Sequence, residues 1–168
     1  MTLSMSGASV PAFVQGLTSL SAVLDKAAAH AEARRIDPAA LLQARLFPDM
    51  FPLTRQVQIA ADFAKGAVAR LAGEDPPKWD DTETGFEDLK GRIARTLDFV
   101  RGVDPTRIDG SEEREITLNI AGNAMTFRGQ PYLVHFALPN FWFHVTAAYS
   151  ILRHNGVELG KRDFIGRF

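Results

Sequence analysis

The chain has 168 residues, enough for one domain with its own core, since a domain of that size buries roughly 70% of its unfolded surface. Hydrophobic residues make up 46% and charged residues 23%, and with a formal net charge of −1 and scattered Lys and Arg the chain lacks the basic footprint of a nucleic-acid or anionic-membrane binder. Cysteine is absent, which excludes disulfides, thiolate metal sites and a cysteine nucleophile, and fits a reducing cytoplasm. The opening MTLSMSGASVPAFVQGL lacks the basic region and uninterrupted apolar stretch of a secretory signal, and no run reaches about 18 apolar residues. A soluble cytoplasmic protein with residues 1–168 as one domain is the expectation.

From Ser9 to about Ala31, Val10, Phe13, Val14, Leu17, Leu20, Leu24, Ala27 and Ala31 recur at three- and four-residue steps, predicting a helix capped by Ser9 with Pro11 in its first turn. Asp37-Pro38 reads as an N-cap and first helical position opening a short helix to about Arg45, and FPDMFP breaks the chain with Pro48 and Pro52. A second long helix follows from about Pro52 to Ala72, its stripe being Leu53, Val57, Ala60, Ala64, Val68 and Leu71. The turn-rich GEDPPKWDD leads to a third helix, for which Thr84 and Glu87 form a capping-box pattern; Asp88 and Arg92 are spaced to pair on its solvent face.

At REITLNIAGNAMTFRG the period changes to two, with Ile116, Leu118 and Ile120 before Ala121-Gly122-Asn123 and Met125 and Phe127 after it, which predicts a β-hairpin. Gln130 and Pro131 open a helical segment that Pro139 kinks or interrupts; the last helix then runs from Asn140 to His154 and stops at Asn155-Gly156. The tail VELGKRDFIGRF has no clear period and is expected to pack across the bundle or a neighbour. Four long helices and one hairpin predict an all-α, antiparallel four-helix bundle.

Bundle sites are built from facing polar side chains, so the polar residues on apolar stripes carry the functional reading. Asn140 and His144 lie four apart on a buried face and can converge on one ligand, ion or water; Gln56 falls near the second helix's stripe, and Asp49 stands just ahead of it. Three readings follow. The cluster is a satisfied core hydrogen-bond group; or His144, with Asp49 and Asn140 as oxygen donors, holds a divalent metal such as Zn, Ni or Mn; or Asn140, His144, Gln56 and Tyr149 line a metal-free pocket for a small molecule. His30 and His154 read as capping or surface residues, His135 has Pro139 rather than a ligand four residues on, and no two histidines are four apart. Trp142, Tyr149 and Arg153 share a face suited to a dimer interface. No Gly-x-Ser-x-Gly elbow or phosphate loop is present, and Asp80-Asp81 and Glu112-Glu113 read as solvated loop charges.

RLFPDMFPLTRQVQIAADFAKGAVARLAG, REITLNIAGNAMTFRGQ and LPNFWFHVTAAYSILRHNGVELGKRDFIG together resemble a bacterial family of unknown function related to the DinB/YfiT superfamily. The resemblance covers nearly the whole chain. It implies a DinB-like four-helix bundle, often a homodimer, in a superfamily that includes metal-dependent enzymes, among them thiol-cofactor-dependent transferases and isomerases. It also implies a three-histidine site, one histidine from the second helix and two at a four-residue spacing on the last. Here that spacing falls on Asn140 and His144, so only His144 keeps the imidazole, and Asp49 and the poorer Gln56 are the nearest second-helix substitutes. Two functions are therefore weighed: a metal-dependent hydrolase or thiol-dependent transferase in which Asp49 and His144 hold an ion that activates water or thiol, and a non-enzymatic small-molecule-binding or interaction protein with no metal.

Overall fold

The computed structural model describes residues 3–166. Helix α1 spans Met5–Arg34, α2 Pro38–Leu42, α3 Leu53–Leu71, α4 Phe86–Gly102 and α5 Pro105–Ile108. Strands β1 (Glu115–Ile120) and β2 (Asn123–Arg128) follow. A short α6 (Gly129–Pro131) then runs through a π-helical stretch, Tyr132–Ala137, into α7 (Leu138–His154), and α8 (Lys161–Ile165) ends the fold.

The four long helices α1, α3, α4 and α7 are the expected bundle. α3 packs on α4 and α7, and α1 packs on the same two helices from the other side, so the ring runs α1–α4–α3–α7. Segments 35–52 and 103–137 therefore carry the chain across the bundle between successive long helices, whereas α3 and α4 are sequence and spatial neighbours. By length and composition α1 is apolar enough to cross a membrane, but its stripe of Phe13, Leu17, Leu20, Leu24, Ala27 and Ala31 forms core here. Phe13 meets Phe141 edge-on at 5.0 Å, and Gly16 admits this ring, since a Cβ there would stand 2.6 Å from Phe141 Cε1.

Several local expectations need correcting. α1 begins four residues before Ser9: Ser4 is the N-cap, its Oγ accepting from the Gly7 N–H at 3.2 Å. Pro11 thus lies inside the helix, and Ser9 donates its hydroxyl to the Met5 carbonyl at 2.7 Å. At α4 the N-cap is Gly85, and it is Asp88, not Glu87, that reaches back to accept from the Thr84 and Gly85 backbone N–H groups, each at 3.0 Å. With Asp88 so committed, Arg92 turns inward instead of pairing with it on the surface. α5 repeats the Asp-Pro signal of α2, with Asp104 accepting from the Thr106 N–H at 2.9 Å.

The hairpin is as expected, pairing Glu115 with Arg128 through to Ile120 with Asn123. Ala121 (φ 50°) and Gly122 (φ 85°) both take positive φ, as a two-residue primed turn requires. After it, Gly129 lets two backbones touch, since a Cβ there would be 1.9 Å from the Ser111 carbonyl oxygen. Pro139 does not break the final helix, because the widened π-helical turn before it absorbs the missing N–H. The tail packs on its own bundle: Phe164 lies 5.9 Å from Trp142 and 5.6 Å from Tyr149, Lys26 pairs with Asp163 at 2.8 Å, and Gln15 Nε2 donates to the Ile165 carbonyl at 2.9 Å.

Candidate functional site

α3 and α7 pack closely, and this contact brings together two of the polar residues singled out in the sequence. His144 Nδ1 lies 2.7 Å from Gln56 Oε1, both side chains being buried. Gln56 in turn donates Nε2 to the Phe51 carbonyl at 3.1 Å. That second bond fixes the orientation of the amide. Since a carbonyl oxygen only accepts, Nδ1 of His144 must carry the proton and Nε2 the lone pair. Phe63 stacks on the imidazole at 5.9 Å and Phe143 meets it edge-on at 5.2 Å. Burial, with repulsion from the Arg55 guanidinium, pushes the imidazole's pKa from 6.5 down to about 4, so it is neutral at pH 7.

The other expected participants go elsewhere. Asn140, half-buried, donates Nδ2 to the Phe136 carbonyl at 2.7 Å, capping the π-helical turn ahead of Pro139. Asp49 is exposed in the turn before α3. Tyr149 and Trp142 are half-buried, and both rings pack against Phe164 of the tail. Among the described residues no three His, Cys, Asp or Glu side chains are grouped to hold a metal ion. The donors at this point are one neutral imidazole nitrogen and the Gln56 carboxamide oxygen, which already accepts from His144. That set does not fit a resident divalent ion, which takes three or more strong ligands.

A second polar centre, for which the residue spacing gives no signal, forms around Arg92. Arg92 is fully buried and gathers three carboxylates: Nη2 lies 2.9 Å from both Asp62 Oδ1 and Asp81 Oδ1, and Nη1 3.1 Å from Glu83 Oε1. Arg55 pairs with Asp81, Lys65 with Asp62 at 2.8 Å, and Gln58 donates to Glu83 Oε2 at 2.9 Å. Three cations thus face three anions. Burial raises the pKa of Glu83, but the hydrogen bonds from Gln58 and Arg92 outweigh it and hold the carboxyl below its usual range. The network ties the 73–85 connection to α3 and α4. The signal for it was Trp79, a lone aromatic in a polar connector, whose ring takes the Lys65 ammonium at 4.2 Å and the Arg95 guanidinium at 4.1 Å.

A family model described as a domain of unknown function, DUF1993, matches residues 5–165. The chain belongs to the DUF1993 family. The crystal structure of a DinB family member protein from Shewanella denitrificans, determined at 1.83 Å resolution, is similar to it at 41% identity and a TM-score of 0.86, over 97% of this chain and 92% of that one. A comparison with curated proteins finds no match. The DinB-like architecture that LPNFWFHVTAAYSILRHNG suggested is therefore shown, while the DUF1993 description assigns no activity, and function has to be argued from the site.

Proposed function

We propose that this DUF1993 member is a metal-independent binding protein for a small, largely apolar molecule, rather than a metal-dependent hydrolase or thiol transferase. The observation that carries the reading is the Gln56–His144 pair: Nδ1 is committed, no carboxylate among the described residues joins it, and the position that resembles a ligand of the DinB site fastens α3 to α7 instead. Beside His144, on the same helix, a concavity of about 350 Å³ opens between the 46–50 turn and α7, lined by Leu46, Met50, Trp142, Phe143, Thr146 and Ser150. Its size and its apolar wall with two hydroxyls suit a small molecule with one hydrogen-bonding group. The neutral fluorescent amine N-phenyl-1-naphthylamine tests it: saturable binding at one site, weakened at least tenfold by Phe143→Ser, is expected. Absence of saturable binding would overturn the reading. So would near-stoichiometric Zn, Ni or Mn in chelator-free protein that disappears in His144→Ala; that result would restore the metal-dependent enzyme.

A second reading places another copy of the chain on this face. It is supported by the large apolar side chains that stand open there or in the adjoining turn, Phe47 at 64%, Phe51 at 54% and Phe143 at 56% exposure. Sedimentation equilibrium separates the two: a dimer that Phe143→Ser dissociates assigns the face to self-association, and a monomer assigns it to a ligand.

A further inference from the structure

The 73–85 connection folds back along α3 and leaves a cleft of about 670 Å³, the α3 side of which is Asp62, Lys65, Gly66 and Arg70 and the other side residues 75–81. This volume lies in the range of small-molecule sites. Its walls are held in place. Trp79 takes two cations on its ring, and buried Arg92 holds both the Asp81 carboxylate and the Asp80 carbonyl, the latter at 3.3 Å.

Most charge around the cleft is internally matched, Lys65 with Asp62 and Asp81 with Arg55 and Arg92. Arg70 is different. Among the described residues it has no carboxylate partner, and its side chain makes one hydrogen bond, from Nη1 to the Tyr132 hydroxyl at 3.2 Å. That leaves most of its five N–H donors uncommitted. The guanidinium lies across Gly66, where a Cβ would stand 2.5 Å from Nη1. A glycine inside a helix weakens it, and here its missing side chain is what lets the arginine lie flat along the cleft wall.

We infer that this cleft binds a small organic monocarboxylate, its carboxylate taken by the open fork of Arg70 and its apolar part against Pro76 and Pro77. A planar guanidinium matches a carboxylate with two parallel hydrogen bonds. Lys78 adds positive charge across the cleft, while Asp75 and Asp80, which also line it and have no ion-pair partner among the described residues, oppose a dianion such as phosphate.

The test uses the whole chain and nuclear magnetic resonance titrations with benzoate, its neutral analogue benzyl alcohol, and inorganic phosphate, all at fixed ionic strength. Benzoate is expected to shift the Trp79 indole N–H and the Gly66 amide saturably, with benzyl alcohol and phosphate at least tenfold weaker. Arg70→Met is expected to weaken benzoate at least tenfold, and Arg70→Lys, which keeps the charge and loses the fork, several-fold. Gly66→Ala displaces the guanidinium, and is expected to weaken benzoate while raising the melting temperature, which a purely structural glycine would not do. No saturable shift with benzoate, equal binding by benzyl alcohol or phosphate, or unchanged affinity in folded Arg70→Met and Arg70→Lys would each overturn the inference.

Discussion

The buried neutral imidazole makes folding stability depend on pH in a window where few other groups titrate. In the unfolded chain His144 titrates near 6.5, and in the folded protein at about 4 because burial and the Arg55 guanidinium oppose its charge. Between those values the unfolded chain binds more protons than the folded one, so stability rises with pH; the contribution is fully present above about 6.5 and is lost as pH falls toward 4. The difference corresponds to about 3 kcal/mol in total, of which about 2 kcal/mol is lost between pH 7 and pH 5. Urea unfolding at pH 7 and pH 5, at equal ionic strength, measures this directly. His144→Leu removes the titrating group, and its stability should change between the same two pH values by about 2 kcal/mol less than the parent's. Equal pH dependence in the two proteins would mean instead that His144 is solvated or already charged in the fold.

Other substitutions probe the frame around the site. Arg92→Met leaves Glu83 and Asp62 without their shared cation and should destabilise by about 3–5 kcal/mol in chemical denaturation. Gly129→Ala drives a methyl group into the Ser111 carbonyl and should cost about 1–3 kcal/mol or more, read as a lowered melting temperature. Asp88→Ala removes the acceptor shared by Thr84 and Gly85 and should lower the melting temperature, with increased amide exchange at the start of α4.

The long helices and the hairpin were legible because apolar period reports which face is buried: Leu53, Val57, Ala60 and Ala64 on α3, and Ile116 with Leu118 on β1, needed no tertiary information. The ends of elements were less legible, since Ser4 competes with Ser9, and Asp88 with Glu87, on local chemistry that both satisfy. The hydrogen bond between Gln56 and His144 spans 88 positions; the two buried stripes put both residues in one candidate cluster, but only the packing of α3 on α7 shows that these two bond directly while Asn140 turns back to the Phe136 carbonyl. Arg92 was the largest omission. A long charged side chain at a surface-like spacing gives no sign that three carboxylates from α3 and the connector will enclose it, and Trp79, whose ring takes the Lys65 ammonium, is the one aromatic in GEDPPKWDD that could mark the connector as folding back on the bundle.

His144 is a neutral core imidazole that donates its Nδ1 proton to Gln56. The most direct measurement is long-range ¹H–¹⁵N correlation of the His144 ring at pH 7, before and after one equivalent of Zn²⁺. A protonated Nδ1 and a bare Nε2, unchanged by zinc, are expected; a ring protonated at Nε2, or an Nε2 signal that moves stoichiometrically with zinc, would rule this state out.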